Sequence, residues 1–190
     1  MSIHPVAQDG LYMGLSIKNF WATPQDVFDA LDHEFRFDLD AAAEAKTAKC
    51  KEWLGLDHLD PERRDALHIR EWPKKLRRVF LNPPYSPDGG GLKRWVGRAL
   101  LEVDRWDGFN AVCVMLLPGT ADTEWAIRLY KAGAELRFTP RIAFLDPCGG
   151  GRSAPTGGSL IAVLRPGMVE RPSRDAALIT LGYAPWKAMS

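Results

Sequence analysis

The sequence predicts an α/β protein in which a mostly parallel central sheet, with an antiparallel strand at its edge, is covered by helices on both faces. Three observations carry this. Residues 111–117, Ala-Val-Cys-Val-Met-Leu-Leu, are an unbroken apolar run of the length and composition of a central strand buried on both faces. Ahead of it, stretches with strand character alternate with stretches of helical period. Beyond it, residues 136–145 and 159–164 read as two further strands near the end of the chain.

The elements follow in order. Residues 1–20 carry no clear period and read as an N-terminal arm. Trp21-Ala22-Thr23-Pro24-Gln25-Asp26 then announces a helix, with Thr23 as N-cap, Pro24 at the first helical position and Asp26 closing a capping box. Val27, Phe28, Leu31 and Phe35 recur on one helical face. Phe35 to Asp40 alternates like a strand and runs into Ala41-Ala42-Ala43. Residues 44–72 show no decisive period. Val79-Phe80-Leu81 is a short buried strand stopped by Asn82-Pro83-Pro84-Tyr85, and a flexible loop follows at Asp88-Gly89-Gly90-Gly91. Leu92, Trp95, Val96, Ala99, Leu100 and Val103 mark the strongest amphipathic helix, and Trp125, Ala126, Leu129 and Tyr130 a second helical face. The expected organisation is an arm over 1–20, one domain over 21–165, and a tail over 166–190.

With 190 residues, 46% of them apolar and 26% charged, the chain has the size of one globular domain. No uncharged apolar stretch approaches the roughly 18 residues a membrane helix needs, and the first ten residues have no basic or apolar leader pattern. A cytoplasmic protein without a membrane partner is expected. Cys50, Cys113 and Cys148 are odd in number and widely spaced, which fits neither a disulfide framework nor a zinc site, so no metal is expected. His4, His33, His58 and His68 are scattered and read as structural or surface residues. The net charge of +1 is unevenly spread: residues 1–60 hold 5 basic and 11 acidic side chains, residues 61–105 hold 11 and 6. Such a local basic excess can attract a polyanion or simply lie on a solvated face.

Asn82-Pro83-Pro84-Tyr85 is the feature that carries chemistry. In a sheet of this class, ligands gather at the carboxyl ends of the strands, which makes the loops after Asp40 and Leu81 the candidate sites. Proline at 83 has no N–H and holds its backbone fixed, so nearby carbonyls can face a cleft as acceptors beside the Asn82 side-chain oxygen. Two acceptors aimed at one planar NH2 take both of its hydrogens and favour a pyramidal nitrogen with a usable lone pair. Tyr85 offers a flat face for a planar base, worth about 1–3 kcal/mol by stacking. A base inside a duplex must first be flipped out to reach such a cleft. A rigid strand exit is the structural alternative for the two prolines.

The strand-end Asn-Pro-Pro-Tyr is similar to the signature of S-adenosylmethionine-dependent amino-methyltransferases. Trp21-x-Thr23-Pro24, Phe37-Asp38-Leu39-Asp40-Ala41-Ala42 and Asn82-Pro83-Pro84-Tyr85-Ser86, in this order, resemble the phage-type DNA N-6-adenine methyltransferase (Dam-like) family. Leu117-Pro118, Thr120-x-x-Thr123-x-Trp125, Arg141-Ile142-x-Phe144 and Pro155 with Gly158-Ser159-Leu160 continue the likeness across residues 20–165.

The resemblance implies a Rossmann-like class I methyltransferase fold and methyl transfer from S-adenosyl-L-methionine to adenine N6 in double-stranded DNA. It also implies a phage or prophage source, a role in protection from restriction or in regulation, and a monomer or weak homodimer in the bacterial host cytoplasm. Asn82, Pro83, Pro84 and Tyr85 are the expected catalytic residues. Trp21, Thr23, Pro24, Asp38, Asp40, Ala41 and Asn82 are the expected donor-binding residues. Alanines stand at 41–43 where many methyltransferases have glycines, so this loop must differ in its backbone. Asp57 and Asp60 are positional candidates for the donor ribose. Thr120 to Thr123 either follows the family pattern or is only a helix N-cap. Gly149 to Gly151 lacks the strand–loop–helix context of a phosphate cradle. Lys74, Lys75, Arg77, Arg78 and Arg152 are the candidate DNA contacts. The remaining alternatives are the same chemistry on a protein glutamine, an RNA base or cytosine N4, and a catalytically silent DNA-binding module.

Overall fold

The structure, a computed structural model, describes residues 21–108, 110–146, 151–153 and 157–170. The arm at 1–20, Gly149 and Gly150 of the glycine loop, Pro155, and the tail beyond residue 170 lie outside the described residues.

Helix α1 (Gln25–Phe35) forms where the sequence places it, and Phe28, Leu31 and Phe35 are its buried face. Its start differs from expectation. Pro24 is the N-cap, no side chain caps the helix, and Thr23 is buried. The cause is a long-range tie: Ala22 and Leu145 exchange backbone hydrogen bonds of 3.1 and 2.9 Å, which draws Thr23 inward. Asp26 pairs instead with Arg152 at 3.3 Å. At the far end Arg36 turns left-handed (φ 55°) and the Asp32 carboxylate accepts from the Phe37 N–H at 2.7 Å. The alternating stretch is therefore mostly helix end and turn, and strand β1 is only Leu39–Asp40.

Strands β2 (Glu52–Trp53), β3 (Arg78–Leu81), β4 (Val112–Pro118), β5 (Glu135–Thr139) and β8 (Ser159–Leu164) complete a six-stranded sheet in the order β2-β1-β3-β4-β8-β5. β2, β1, β3 and β4 are parallel neighbours, while β8 runs antiparallel to both β4 and β5. The expected antiparallel strand is thus present near that edge, one position in from it. The stretch expected as one strand over 136–145 divides at Pro140, which has no N–H for a ladder. Its second half, β6 (Phe144–Leu145), pairs with β7 (Arg152–Ser153) in a separate ribbon.

Alternation along the strands sorts the core into two layers. Phe80, Val112, Val114 and Leu116 pack with the apolar face of α1. Val79, Leu81, Cys113, Met115 and Leu117 pack with Trp95, Val96, Ala99 and Val103 of α2 (Gly91–Asp104) and Leu129 of α3 (Glu124–Lys131). Thr123 caps α3, its hydroxyl accepting from the Ala126 N–H at 3.4 Å. Buried Glu102 of α2 accepts from the Trp72 N–H at 3.1 Å and pairs with Arg98 at 2.8 Å. Arg98 in turn donates to the Ile69 carbonyl at 2.6 Å. This network anchors residues 66–72, which have no sheet of their own.

Because β1 and β3 are adjacent and parallel, with Asp40 opposite Phe80, the loops that follow them leave the same end of the sheet.

Candidate functional site

A cavity of about 290 Å³ opens at that end. Trp21, Thr23, Asp40, Ala41, Asn82 and Pro84 all line it, so residues sixty positions apart share one cleft. Three more expected site residues shape it without lining it. Pro24 and Pro83 are buried behind it. Tyr85 is wedged edge-on against Phe144, ring centroids 6.3 Å apart, with its hydroxyl donating to the Leu116 carbonyl at 3.3 Å. Burial pushes the Tyr85 phenol above its ordinary range, so it stays protonated.

The Asn82 side chain is held by orientation as well as position. Its Nδ2 donates to the Trp21 carbonyl at 3.4 Å, and its Oδ1 accepts no hydrogen bond among the described residues. The amide is thereby turned so that its acceptor remains available, which is the polarity an amine-binding site needs.

Asp40 sits at the end of β1 and is buried. Its carboxylate accepts from the Lys49 N–H at 3.0 Å and the Ala42 N–H at 3.4 Å. Desolvation outweighs these bonds and lifts its pKa to about 6. The alanine loop accommodates this without glycine. Ala43 N–H donates to the Leu54 carbonyl at 3.0 Å, fixing the loop against the strand that follows.

Other expected residues are elsewhere. Asp38 accepts from the Arg78 N–H at 3.0 Å and pairs with its Nε at 3.1 Å, at the amino end of the strands. Lys74, Lys75, Arg77 and Arg78 share that end, so the structure does not bring them to the cleft. Lys74 pairs with Glu71 at 3.3 Å and Arg77 with Asp107. Arg152 is engaged with Asp26. Asp57 accepts from the Ala45 N–H at 3.1 Å and Asp60 from the Glu62 N–H at 2.9 Å, and neither lines the cleft.

The acid that does line it besides Asp40 and Glu44 is Asp65, with His68 and Arg94 beside it. His68 Nδ1 lies 2.5 Å from Asp65 Oδ2, and its Nε2 lies 2.7 Å from Arg94 Nη2. Sequence reading missed these three. Asp65 and His68 belong to a stretch without period and Arg94 to the polar side of an amphipathic helix, and the Arg98–Glu102 anchor, thirty residues along the chain from the first two, brings them together.

The donor set suits a nucleoside with an amino-acid arm. Asp40, Glu44 and Asp65 can accept from an ammonium and from hydroxyls, and Leu54, Leu56, Leu67 and Trp95 supply apolar walls for a flat base. Among the described residues no group of three or more His, Cys, Asp or Glu is placed to hold a metal, and no helix is long and apolar enough to cross a membrane.

A mostly parallel sheet of this order, with an acid ending one strand and Asn-Pro-Pro-Tyr ending its neighbour over a common cleft, defines the class of Rossmann-like methyltransferase folds. Within that class, a family model for DNA N-6-adenine-methyltransferase (Dam) matches residues 13–176, and the chain belongs to that family. It is similar to a DNA N-6-adenine-methyltransferase of Escherichia phage T1, being 28% identical over 123 residues. Those residues are 64% of this chain and 44% of the relative, so the match spans less than half of the relative's length.

Proposed function

We propose that the protein transfers a methyl group from S-adenosyl-L-methionine to the N6 amino group of a flipped-out adenine in double-stranded DNA. The observation that carries this reading is the shared cleft: Asn82, its amide oriented by the Trp21 carbonyl, opens onto the same cavity as buried Asp40. Membership of the DNA N-6-adenine-methyltransferase family supports the substrate.

Each residue has a task in this reading. Asn82 Oδ1 accepts one hydrogen of the target amine, and a carbonyl of the rigid Asn82–Pro84 backbone accepts the other. Held so, the nitrogen lone pair is turned out of conjugation and toward the donor, and positioning does the rest. Tyr85, clamped between Phe144 and the Leu116 carbonyl, presents a ring against which a base can stack. Thr23, Asp40, Ala41 and Trp21 hold the donor, with the Asp40 carboxylate as an acceptor at its polar end. When bound, the donor supplies a sulfonium-activated methyl group. No side chain need act as a strong base, because the nitrogen sheds its proton to water after it becomes cationic.

The test is incubation with methyl-labelled donor and unmethylated duplex DNA, digestion to nucleosides and identification of the labelled one. Label on N6-methyl-2′-deoxyadenosine is expected. Label on deoxycytidine, or label on RNA or on protein when these replace the DNA, assigns the same cleft to another amine, and donor binding that is absent at millimolar concentration overturns the enzyme reading.

A further inference from the structure

We propose that Arg64 and Arg94, at the rim of the cleft, grip the phosphodiester backbone beside the target nucleotide. The proposal rests on the reading of the cleft as a DNA amine-methylation site.

The argument starts from how this protein uses arginine. Many of its guanidinium groups face carboxylates: Arg63 faces Glu52, Arg78 faces Asp38, Arg98 and Arg105 share Glu102, and Arg137 lies between Glu34 and Glu135, while Arg36, Arg70, Arg128 and Arg141, which do not line the cleft, form no ion pair among the described residues. The two arginines that line the cleft differ. Arg64 donates from Nε to the His58 carbonyl at 2.7 Å, and Arg94 donates to His68 Nε2 at 2.7 Å. The His68 ring is held in turn by Asp65, whose Oδ2 lies 2.5 Å from Nδ1. Both guanidinium groups are therefore fixed in direction by a backbone carbonyl and an imidazole rather than by a carboxylate. Among the described residues neither is in direct contact with a carboxylate, and each keeps most of its N–H donors for an incoming group.

Placement selects the anion. Arg94 lies in the first turn of α2, the helix that begins just past the Asn-Pro-Pro-Tyr loop, and both arginines are exposed at the mouth. The interior holds the buried carboxylate of Asp40, which repels a phosphate. A nucleotide whose base enters the cleft leaves its phosphates at the rim, where a planar guanidinium can bind phosphate oxygens in pairs. Flipping requires such a hold, because the backbone must be kept in place while the base swings out. The Lys74–Arg78 cluster stands the length of β3 away, about 10 Å at roughly 3.3 Å per residue.

The experiment uses Arg64→Gln, Arg94→Gln and the double variant, with Lys74→Gln/Lys75→Gln as the control at the opposite sheet end. Circular dichroism verifies folding, and Arg94→Lys tests rescue. Fluorescence anisotropy measures affinity for a labelled mixed-sequence duplex across salt concentrations, and calorimetry measures S-adenosyl-L-methionine affinity. Each arginine substitution should lower the log–log salt slope by about one. The double variant should bind DNA at least tenfold more weakly in about 0.1 M salt, with donor affinity within twofold of wild type. Arg94→Lys should keep the slope while losing part of the affinity. Unchanged slopes in the arginine variants overturn the proposal, as does a parallel loss of donor affinity, which would assign the pair to the donor carboxylate. A slope lost only in the lysine control also overturns it. These outcomes leave the methyltransferase reading standing, whereas a wild-type protein that binds no duplex DNA overturns both.

Discussion

Gly55 passes so close to Ala43 that a β-carbon on it would stand 1.6 Å from the Ala43 carbonyl oxygen. The two residues belong to the loops after β2 and β1, and their contact sets the spacing of one cleft wall. Leu54 extends it on both sides, its N–H donating to the Asp40 carbonyl at 2.8 Å and its carbonyl accepting from Ala43.

Gly55→Ala should therefore force two backbones apart, since neither atom in the clash belongs to a flexible side chain. A loss of at least 1–3 kcal/mol of stability is expected from overpacking of this kind, with a parallel loss of donor affinity. Gly157→Ala, where a β-carbon meets nothing within 4 Å, should be near neutral. Thermal melts and calorimetry on both variants check this, and a Gly55→Ala protein with wild-type affinity would show that the wall can yield.

Asn82→Ala should abolish transfer and leave the fold intact. It removes one polar acceptor and no core volume, and loss of a single oriented hydrogen-bonding group in an active site typically costs about 10²–10³ in rate. The measurements are single-turnover methylation together with donor and DNA binding, both of which should survive. Retention of most activity would exclude Asn82 from the chemistry.

Asp40 should make donor binding pH-dependent. Burial raises its pKa from 3.8 to about 6, so the carboxylate that would accept from the donor is protonated below that value. Donor affinity should be level above about pH 7 and fall as pH drops through 6, while Asp40→Asn should flatten the profile. Stability runs the opposite way. Because the folded-state value lies above the unfolded one, the group disfavours folding least below about pH 4 and most above pH 6, a difference of roughly 3 kcal/mol. Calorimetric titrations from pH 5 to 8 test the first part, and melts extended down to about pH 3 test the second.

Tyr85→Phe and Tyr85→Ala should separate the two roles of that side chain. Phenylalanine keeps the ring and loses only the bond to the Leu116 carbonyl, a change of about 0.5–1.5 kcal/mol in stability with transfer preserved. Alanine also loses base stacking of about 1–3 kcal/mol, expected as a 5- to 150-fold rise in KM for DNA with little change in donor affinity. Equal kinetics for the two variants would rule out stacking.

Glu102→Ala should be among the most disruptive substitutions away from the cleft. It strands Arg98 and the Trp72 N–H inside the protein, and breaking a buried pair in this way costs about 3–5 kcal/mol. Chemical denaturation measures it, and because the network anchors residues 66–72, donor affinity should fall with it.

Much of the fold was legible because its signals are local. The apolar run at 111–117, the helical period from Leu92 to Val103 and the apolar stretch at 159–164 each report their own burial within a few residues, and each became the expected element. The Asn82–Tyr85 tetrapeptide was legible for the same reason: proline dictates backbone shape wherever it stands. A helix cap was one of the two readings open for Thr120 to Thr123, and Thr123 is the residue that caps α3.

What the tertiary structure decided depended on pairing across long stretches of chain. Thr23 looked like a helix cap until the Ala22–Leu145 bridge drew it inward. The run from Phe35 alternated like a strand, yet helix α1 claimed its start through the left-handed turn at Arg36. The basic residues at 74–78 sat next to the motif in sequence but at the other end of β3 in space, because a strand carries its two flanks in opposite directions. Asp65, His68 and Arg94 carried no pattern at all. The sequence determined which segments bury themselves and where the backbone is rigid. Which of those segments lie side by side, and so which polar groups share a cleft, was decided by contacts between residues tens of positions apart, and no local periodicity encodes these.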